Sequence, residues 1–313
     1  MSYTRGSTVR GPALVALGAN TIRTKGDVKV TLAFETFNIE SAEAPIIDER
    51  LSGIPVTIDF DPVGEVTSGL LSAMFAPLSA VVGSSLFGVS DTACTITPLS
   101  GTDKITFHCA AITKMPDIII SATKTTLGSM TITAILKNAT AWSDAAARLT
   151  VATVTAPTVA AIDLATIPTN PAKIKWGATA PWTTLQSREG VTITFDMQTE
   201  DDVTDEDGLV DKVLSGVTAK ATLSPMGCSA AQAITAFALQ GTGVVRGASL
   251  AARAQQLEIE SAVVGGLKVV MPKATLKNLP LLYGRTSPRF GDFEFVSLPS
   301  SGTVATVSIV AAG

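Results

Sequence analysis

The fold of this chain is decided by one stretch of sequence that occurs twice. Residues 28–64 read VKVTLAFETFNIESAEAPIIDERLSGIPVTIDFDPVG, and residues 191–227 read VTITFDMQTEDDVTDEDGLVDKVLSGVTAKATLSPMG. The two segments align without a gap at a constant offset of 163 residues, and they share an Asp-x-x-Leu-Ser-Gly motif and a Pro-x-Gly motif. A tandem duplication of this kind sets the architecture of a chain.

The repeat continues beyond this stretch at nearly the same offset. Gly101 and Gly265 lie 164 residues apart, each at the turn of a predicted hairpin. Both copies also contain the string Thr-Val-Ala-Thr-Val, at residues 150–154 and 303–307, which favours a shared final segment.

Each copy is predicted to contain a strand, a long polar loop, a returning strand, a helix, a hairpin and a final strand. Alternating apolar residues predict strands at 29–37, 54–60, 93–98, 104–111 and 130–136, and in the second copy at 257–263, 268–276 and 293–298. Acidic, polar stretches predict loops at 38–50 and 200–213. Helices are predicted at 65–76, capped by Asp61 or Thr67, and at 229–239, capped by Ser229.

The predicted fold class is therefore mainly β, with two tandem antiparallel β-sandwich or barrel domains that each carry one helix and one long loop. The first domain is predicted at residues 1–154, including an N-terminal tail, and the second at residues 170–313. Residues 155–169, which contain two prolines, are the predicted linker.

Composition argues against several classes of function. The formal net charge of -4 gives no support to tight reading of nucleic acid, and it fits a surface that repels phosphate. Cys94, Cys109 and Cys228 are odd in number and far apart in sequence, so we expect neither a disulfide framework nor a zinc site.

One uncharged stretch, residues 70–89, is long enough to span a bilayer. Pro77 and the cluster Gly83-Ser84-Ser85 interrupt it, so we expect a soluble helix followed by a loop instead of a membrane span. The N-terminal residues also lack the apolar core of a secretion signal.

Motifs for catalysis are missing. His108 is the one histidine, it is predicted to lie mid-strand, and the second copy has Met271 or Pro272 at the matching position. A catalytic group built on His108 would therefore have no counterpart in the second copy. Nucleotide-binding and zinc-protease motifs are also missing, so we expect no enzyme activity and no cofactor.

An acidic run suggests a calcium site, and it comprises Glu200, Asp201, Asp202, Asp205, Glu206 and Asp207. With Gly208 at the sixth place of an EF-hand loop, Val203 and Leu214 would have to supply the first and last ligands, and neither has a side-chain oxygen. We expect no EF-hand metal site here, and only a weak, irregular cation site stays open. The favoured interpretation is a solvated loop that contacts a basic partner or keeps unwanted contacts away.

Further motifs lie in the first copy. They are KGDVKV at residues 25–30, DER at 48–50, Asp61-Pro62-x-Gly64, KITFHCAAITKMP at 104–116 and GSMT at 128–131. With these motifs the chain resembles the tail-tube, or major tail, proteins of long-tailed, non-contractile bacteriophages. The resemblance covers roughly residues 11–144, and the second copy follows through the internal repeat.

The resemblance implies a structural protein of the virion tail that is assembled in the cytoplasm of the host cell. Such subunits join their sheets edge to edge around rings that are usually sixfold, and two fused tube domains per chain imply a trimer with pseudo-sixfold symmetry. The stacked rings form a hollow conduit through which double-stranded DNA passes without sequence-specific binding. The implied partners are further copies of the chain, the tape-measure protein, the tail terminator and tail-tip proteins, with no membrane.

The two long loops are predicted to make contacts between rings, because they are long, polar and anchored between two strands. The candidate residues are Glu40, Glu43, Asp48, Glu49, Arg50, Glu200, Asp201, Asp202, Asp205, Glu206, Asp207 and Asp211.

Two other hypotheses come from different classes of function. In the first, two tandem β-sandwiches recognise a glycan or a protein surface, as a minor decoration of a virion, through the acidic loops and a Trp176/Trp182 pair. Core or interface packing is the other interpretation of that pair. In the second, the chain is an enzyme that depends on His108.

Overall fold

A computed structural model gives the fold of the chain. It describes residues 13–40, 46, 48–64, 67–88, 92–100, 102–121, 125–135, 149–159, 172–177, 183–204, 208–226, 246, 248–261, 266–280, 290–299 and 307–311. The fold is mainly β, as predicted, and its sheets form sandwich-like layers.

Short strands and one short helix make up the first repeat in the described part of the chain. The strands are β1 (Ala13–Leu17), β2 (Asn20–Arg23), β3 (Lys29–Leu32), β4 (Glu35–Ile39), β5 (Asp48–Gly53), β6 (Pro55–Phe60), β7 (Cys94–Pro98), β8 (Thr102–Phe107), β9 (Cys109–Lys114), β10 (Ile118–Ile120), β11 (Thr125–Leu127), β12 (Met130–Ile135) and β13 (Leu149–Val154). The helix α1 is Ser68–Met74, and a 3₁₀ turn follows at Ala76–Ser79.

Two sheets of the first repeat close on each other. One sheet has the order β13-β8-β7-β1-β2, and the other has the order β3-β6-β12-β9. The sheets meet on one side where the Val63 amide donates to the carbonyl oxygen of Arg23 (2.8 Å), next to a bridge between Thr24 and Pro62. On the other side the chain passes directly from β8 into β9 at His108. The repeat is therefore a barrel-like sandwich.

Longer strands make up the second repeat. They are β14 (Ala172–Trp176), β15 (Thr183–Thr204), β16 (Gly208–Met226), β17 (Gln255–Ser261), β18 (Leu267–Asn278), β19 (Phe293–Ser297) and β20 (Ser308–Ala311). Pairing runs from β15 through β14, β17, β18, β19 and β16 and returns to β15, so these strands form a closed barrel. β20 pairs with β18.

Strand register is the same in the two repeats. Thr31 lies opposite Thr57 in the pairing of β3 with β6, and Thr194 lies opposite Lys220 in the pairing of β15 with β16, 163 residues later. The pairing of β1 with β7 has the same register as the pairing of β14 with β17. The pairing of β12 with β6 matches that of β19 with β16, and the pairing of β12 with β9 matches that of β19 with β18. Register sets which side chains face the core, so the duplicated sequence is also a duplicated fold.

The prediction of two long loops is wrong at residues 38, 39 and 48–50 and at residues 200–204 and 208–213, which lie in strands. In the first repeat β4 and β5 pair with each other, and in the second repeat the pairing of β15 with β16 continues to Thr204 and Gly208. Each repeat therefore carries a projecting hairpin: the first arm is β4 with β5, and the second arm is residues 198–216. Cross-strand hydrogen bonds satisfy the backbone groups of these polar segments. Because the segments lack a regular pattern of apolar residues, their sequence does not reveal that they are strands.

Two predicted strands of the first repeat are each divided in the structure. The strand predicted at 29–37 breaks at Ala33 and Phe34, between β3 and β4, and the strand predicted at 104–111 breaks at His108. The prediction of a mid-strand His108 is therefore wrong, because this residue lies where the chain changes sheets. Apolar alternation continues through both breaks, so the sequence pattern does not mark them.

Helix α1 is shorter than the predicted 65–76. The Leu70 amide donates to Thr67 Oγ1 (3.4 Å), so Thr67 is the N-cap and not Asp61. The helix predicted at 229–239 lies outside the described residues. In the part of the chain that the structure describes, no helix has the length and apolar character needed to cross a membrane.

The remaining predicted strands match β6, β7, β12, β17, β18 and β19 closely. The match between residues 150–154 and 303–307 is wrong as a structural equivalence. Ser308 lies opposite Val270 in the second repeat, as Thr150 lies opposite Thr106 in the first. The last strand of the second repeat therefore begins after the shared string.

Candidate assembly surfaces

A strand pairing joins the first repeat to the second. β10 of the first repeat lies antiparallel to β15 of the second, with Ile118 opposite Ile193 and Ile120 opposite Val191. All four side chains are buried, and they belong to one apolar core that extends through both repeats. β11 pairs with β10, so two strands of the first repeat extend the sheet of the second. This joint covers a strand edge that would otherwise be open.

Gly190 lies at the closest approach in this joint. Its φ is +98°, and a Cβ at this position would lie 2.3 Å from the carbonyl oxygen of Ile120 and 2.5 Å from the Cβ of Ser121. A side chain would therefore meet backbone that cannot move without opening the pairing. Glycine is required here both for its conformation and for its size.

A second group of hydrogen bonds holds the second arm against the first repeat. The Gly83 amide donates to the carbonyl oxygen of Leu214 (2.8 Å), and the Leu214 amide donates to that of Ser84 (3.0 Å). The Ser85 hydroxyl donates to the carboxylate of Asp211 (2.8 Å). One edge of the second arm is therefore covered by the first repeat, much as an added strand covers a sheet edge.

Apolar contacts complete the joint at both ends of the second arm. Near the barrel, Phe195 packs against Phe75 with ring centroids 5.3 Å apart. Towards the tip, Leu209 is buried in a cluster of first-repeat side chains, namely Phe87, Cys109, Ala111 and Ile135. The arm is thus fixed by burial of apolar surface as well as by hydrogen bonds.

The structure places most of the described interface candidates on strands. Glu40 follows β4, Asp48, Glu49 and Arg50 lie in β5, Glu200, Asp201 and Asp202 lie in β15, and Asp211 lies in β16. Glu43, Asp205, Glu206 and Asp207 lie outside the described residues. The described acidic members are exposed, except that Asp211 is half-buried beside Ser85. Their predicted role between rings stays a prediction, but Asp211 makes its contact within the chain.

Charges on the second arm are unevenly paired. Lys212 forms an ion pair with Asp201, whereas Asp202 lies directly opposite Asp211. Like charges at facing positions destabilise a sheet. The hydrogen bond from Ser85 to Asp211 offsets part of that repulsion, so contact with the first repeat stabilises the arm.

A paired carboxylate lies on the outer face of the second barrel. Glu258 lies 2.8 Å from Lys175 Nζ and 3.1 Å from Lys268 Nζ. Burial alone would raise the pKa of Glu258, but the hydrogen bonds and charges of the two lysines outweigh burial and leave this pKa lowered. The hydrogen bond to Glu258 in turn raises the pKa of Lys175. The cluster joins the neighbouring strands β14, β17 and β18 by ion pairs, so its role is to hold the barrel together.

The described side chains considered for chemistry make packing or hydrogen-bonding contacts. His108 lies with its Nε2 atom 3.3 Å from Thr150 Oγ1. Cys94 and Cys109 are buried, and burial raises the pKa of the Cys94 thiol to about 12. Trp176 is buried with its ring centroid 5.1 Å from that of Phe295, which agrees with the core-packing interpretation.

Among the described residues, no group of three or more His, Cys, Asp and Glu side chains converges to hold a metal ion. Trp182, Cys228 and Asp205 to Asp207 lie outside that part of the chain.

Sequence reasoning missed the joint, although two signals for it were present. Residues 118–120 are three consecutive isoleucines after a proline, a pattern typical of a short strand buried on both faces. Gly190 directly precedes the strand-like run of residues 191–197, where an isolated glycine indicates close backbone approach.

No protein-family model matches this chain, and no curated protein matches its sequence. The fold and the joint define a tandemly duplicated antiparallel β-barrel protein whose repeats are joined head to tail. The tail-tube family stays a prediction from the sequence resemblance.

Proposed function

We propose that this chain is the protomer of a bacteriophage tail tube. Three chains form a ring with pseudo-sixfold symmetry, and the rings stack into a hollow conduit for genome passage. The observation that carries the proposal is the joint between repeats, in which β10 of one repeat covers β15 of the next.

The joint is a head-to-tail contact, because the two repeats use different surfaces to make it. A contact of this type can be repeated, and it closes into a ring when the rotation between neighbours divides the circle. Two unlike repeats that alternate around the ring fill six positions with three chains. Ring closure also covers sheet edges that would otherwise remain open to unwanted pairing.

Charge supports passage of nucleic acid without retention. The formal net charge is -4, and carboxylates of both arms, such as Glu49 and Glu200, are exposed. An acidic or neutral wall repels phosphate, so double-stranded DNA moves past it without being bound. The tape-measure protein, the tail terminator and tail-tip proteins are the proposed partners, and the virion tail is the proposed location.

Quantifying the protein in virions, together with electron microscopy of the purified chain, tests this function. A tube protomer is expected in many copies per virion and as stacked rings in micrographs. A few copies confined to the tip would favour the binding module instead. Persistent monomers, even with tail-assembly partners present, would contradict the proposal.

A further inference from the structure

Three large apolar side chains project from the first repeat. Leu32 is 39% exposed, Phe34 is 67% exposed and Ile46 is 56% exposed. Leu32 is the last residue of β3, Phe34 directly precedes β4, and Ile46 lies two residues before β5, so all three flank the strands of the first arm. Single apolar residues are common on surfaces, but three large exposed ones that flank the same arm are a candidate interaction site.

The second repeat also carries apolar residues at these positions, but there they are covered. Phe195 and Leu209, which correspond to Leu32 and Ile46, are only 7% and 8% exposed. Met197, which corresponds to Phe34, packs against the main core. Side chains of the first repeat cover them: Phe75 packs against Phe195, and the cluster that includes Ile135 packs against Leu209.

The backbone shows the same difference between the repeats. In the second repeat the edge of β15 at residues 191–193 is covered by β10. The corresponding residues of the first repeat are 28–30, of which 29 and 30 lie in β3. Among the described strands, β3 pairs with β6 alone. We call the other edge of β3 together with Leu32, Phe34 and Ile46 the open surface.

We infer that the open surface binds the second repeat of another copy of this chain, in the arrangement by which the first repeat already covers the second. This inference rests on the proposed head-to-tail assembly and assigns its surface. The partner is a second copy because the chain already contains the matching contact. Within the chain, the first repeat covers the corresponding surface of the second repeat. A second repeat from another copy, which has the same fold, covers the open surface in the same way.

The second repeat has features that suit it to this role. Phe87, which packs on Leu209 within the chain, corresponds in sequence to Leu250, and Leu250 is 45% exposed. The Gly291 amide donates to the carbonyl oxygen of Pro280 (3.0 Å), as the Gly128 amide donates to that of Asp117 (2.8 Å) at the base of β10 and β11. The second repeat thus exposes an apolar residue where the first one supplies an apolar contact.

A triple variant tests the open surface directly. Leu32→Asp, Phe34→Asp and Ile46→Asp together are expected to weaken self-association of the full chain by about tenfold or more, because buried apolar anchors dominate interface energies. The matched control changes three exposed apolar residues outside the surface, Val151→Asp, Val159→Asp and Met226→Asp, and is expected to assemble like the unaltered chain. Sedimentation measures association, and circular dichroism verifies that both variants fold.

Disulfide trapping gives a second test that does not depend on the triple variant. Ile46→Cys combined with Leu250→Cys is expected to yield covalent oligomers on mild oxidation, since the two positions would meet between copies. Each single substitution is the control and is expected to yield far less product. Equal trapping in the single and double variants would overturn the inference.

The outcomes separate this inference from the proposed function. Normal rings or tubes from the triple variant would overturn the inference and leave the tube proposal standing. If the unaltered chain forms rings and the triple variant does not, the inference is supported. If the protein is then not found along the virion tail, the tube proposal is contradicted while the inference stands. An unaltered chain that stays monomeric under all conditions would overturn both.

Discussion

Gly190 shows how one residue fixes the relation between the two repeats. A bulge in the pairing of β15 with β16 separates Ser187 from Val191, and Gly190 lies within it at φ +98°. The bulge brings β15 against Ile120 and Ser121 of the first repeat. The first repeat has Asp27 at the corresponding position, so the contacts on β3 and β15 are not identical.

Replacing Gly190 by alanine is expected to lower the free energy of unfolding by about 2–4 kcal/mol, because the new Cβ meets backbone and the residue must keep a positive φ. Gly26→Ala is the control, since a Cβ there has nothing within 4 Å. Urea unfolding measures both variants. A loss for Gly190→Ala no larger than that for Gly26→Ala would show that the joint is not as close as described.

The ion cluster around Glu258 predicts a pH-dependent stability. Because the pKa of Glu258 is lowered on folding, its contribution is present above the pKa of an unfolded carboxyl group and is lost as the pH falls through the folded value. The raised pKa of Lys175 contributes stability below its unfolded value, which is lost as the pH rises through the folded value.

Glu258→Gln is therefore expected to reduce the free energy of unfolding at pH 7 by about 1.5–3 kcal/mol and to flatten its decline below about pH 5. Glu294→Gln breaks the more exposed ion pair with Lys220 and is expected to cost about 1 kcal/mol or less. Unfolding curves across a pH series measure both. An unchanged acid limb in Glu258→Gln would contradict the assignment.

At the scale of elements, the arms are the main departure from the sequence prediction. Their strands are rich in Asp, Glu and Thr, so they lack the apolar alternation that identified β6 or β12. Contact with the first repeat stabilises the second arm, as the hydrogen bonds between residues 83–86 and that arm show. Local sequence does not encode such tertiary contacts.

Two residues that face each other on the second arm provide a test of its packing. Leu209 is buried against the first repeat, whereas Val203, directly opposite in the hairpin, is exposed. Leu209→Ala is expected to cost about 2 kcal/mol or more, and Val203→Ala about 0.5 kcal/mol or less. Similar costs measured by thermal unfolding for the two variants would place the arm away from the first repeat.

Deleting Asp205 to Asp207 tests the predicted role of the arms between rings. The deletion is expected to weaken stacking of rings in electron micrographs while ring formation and the melting temperature stay nearly unchanged, because residues predicted to lie in a loop contribute little to a core. A collapse of the melting temperature would show instead that these residues support the fold.

At the scale of the whole molecule, the sequence predicted the β class and the duplication well. The constant offset and the shared turn residues predict a repeated fold, and the matched strand registers confirm this prediction. The sequence could not show that β10 leaves its own repeat to join the next, because Ile118 to Ile120 would suit any buried strand. The predicted domain limits and the tube family stay predictions.

The central claim is that two unlike repeats alternate around a ring. Electron microscopy of rings assembled from the purified chain, with the number of chains counted by native mass spectrometry, tests it most directly. The account predicts three chains per ring and six barrel densities of two alternating kinds. A ring of six chains, or a closed dimer with like repeats in contact, would contradict it.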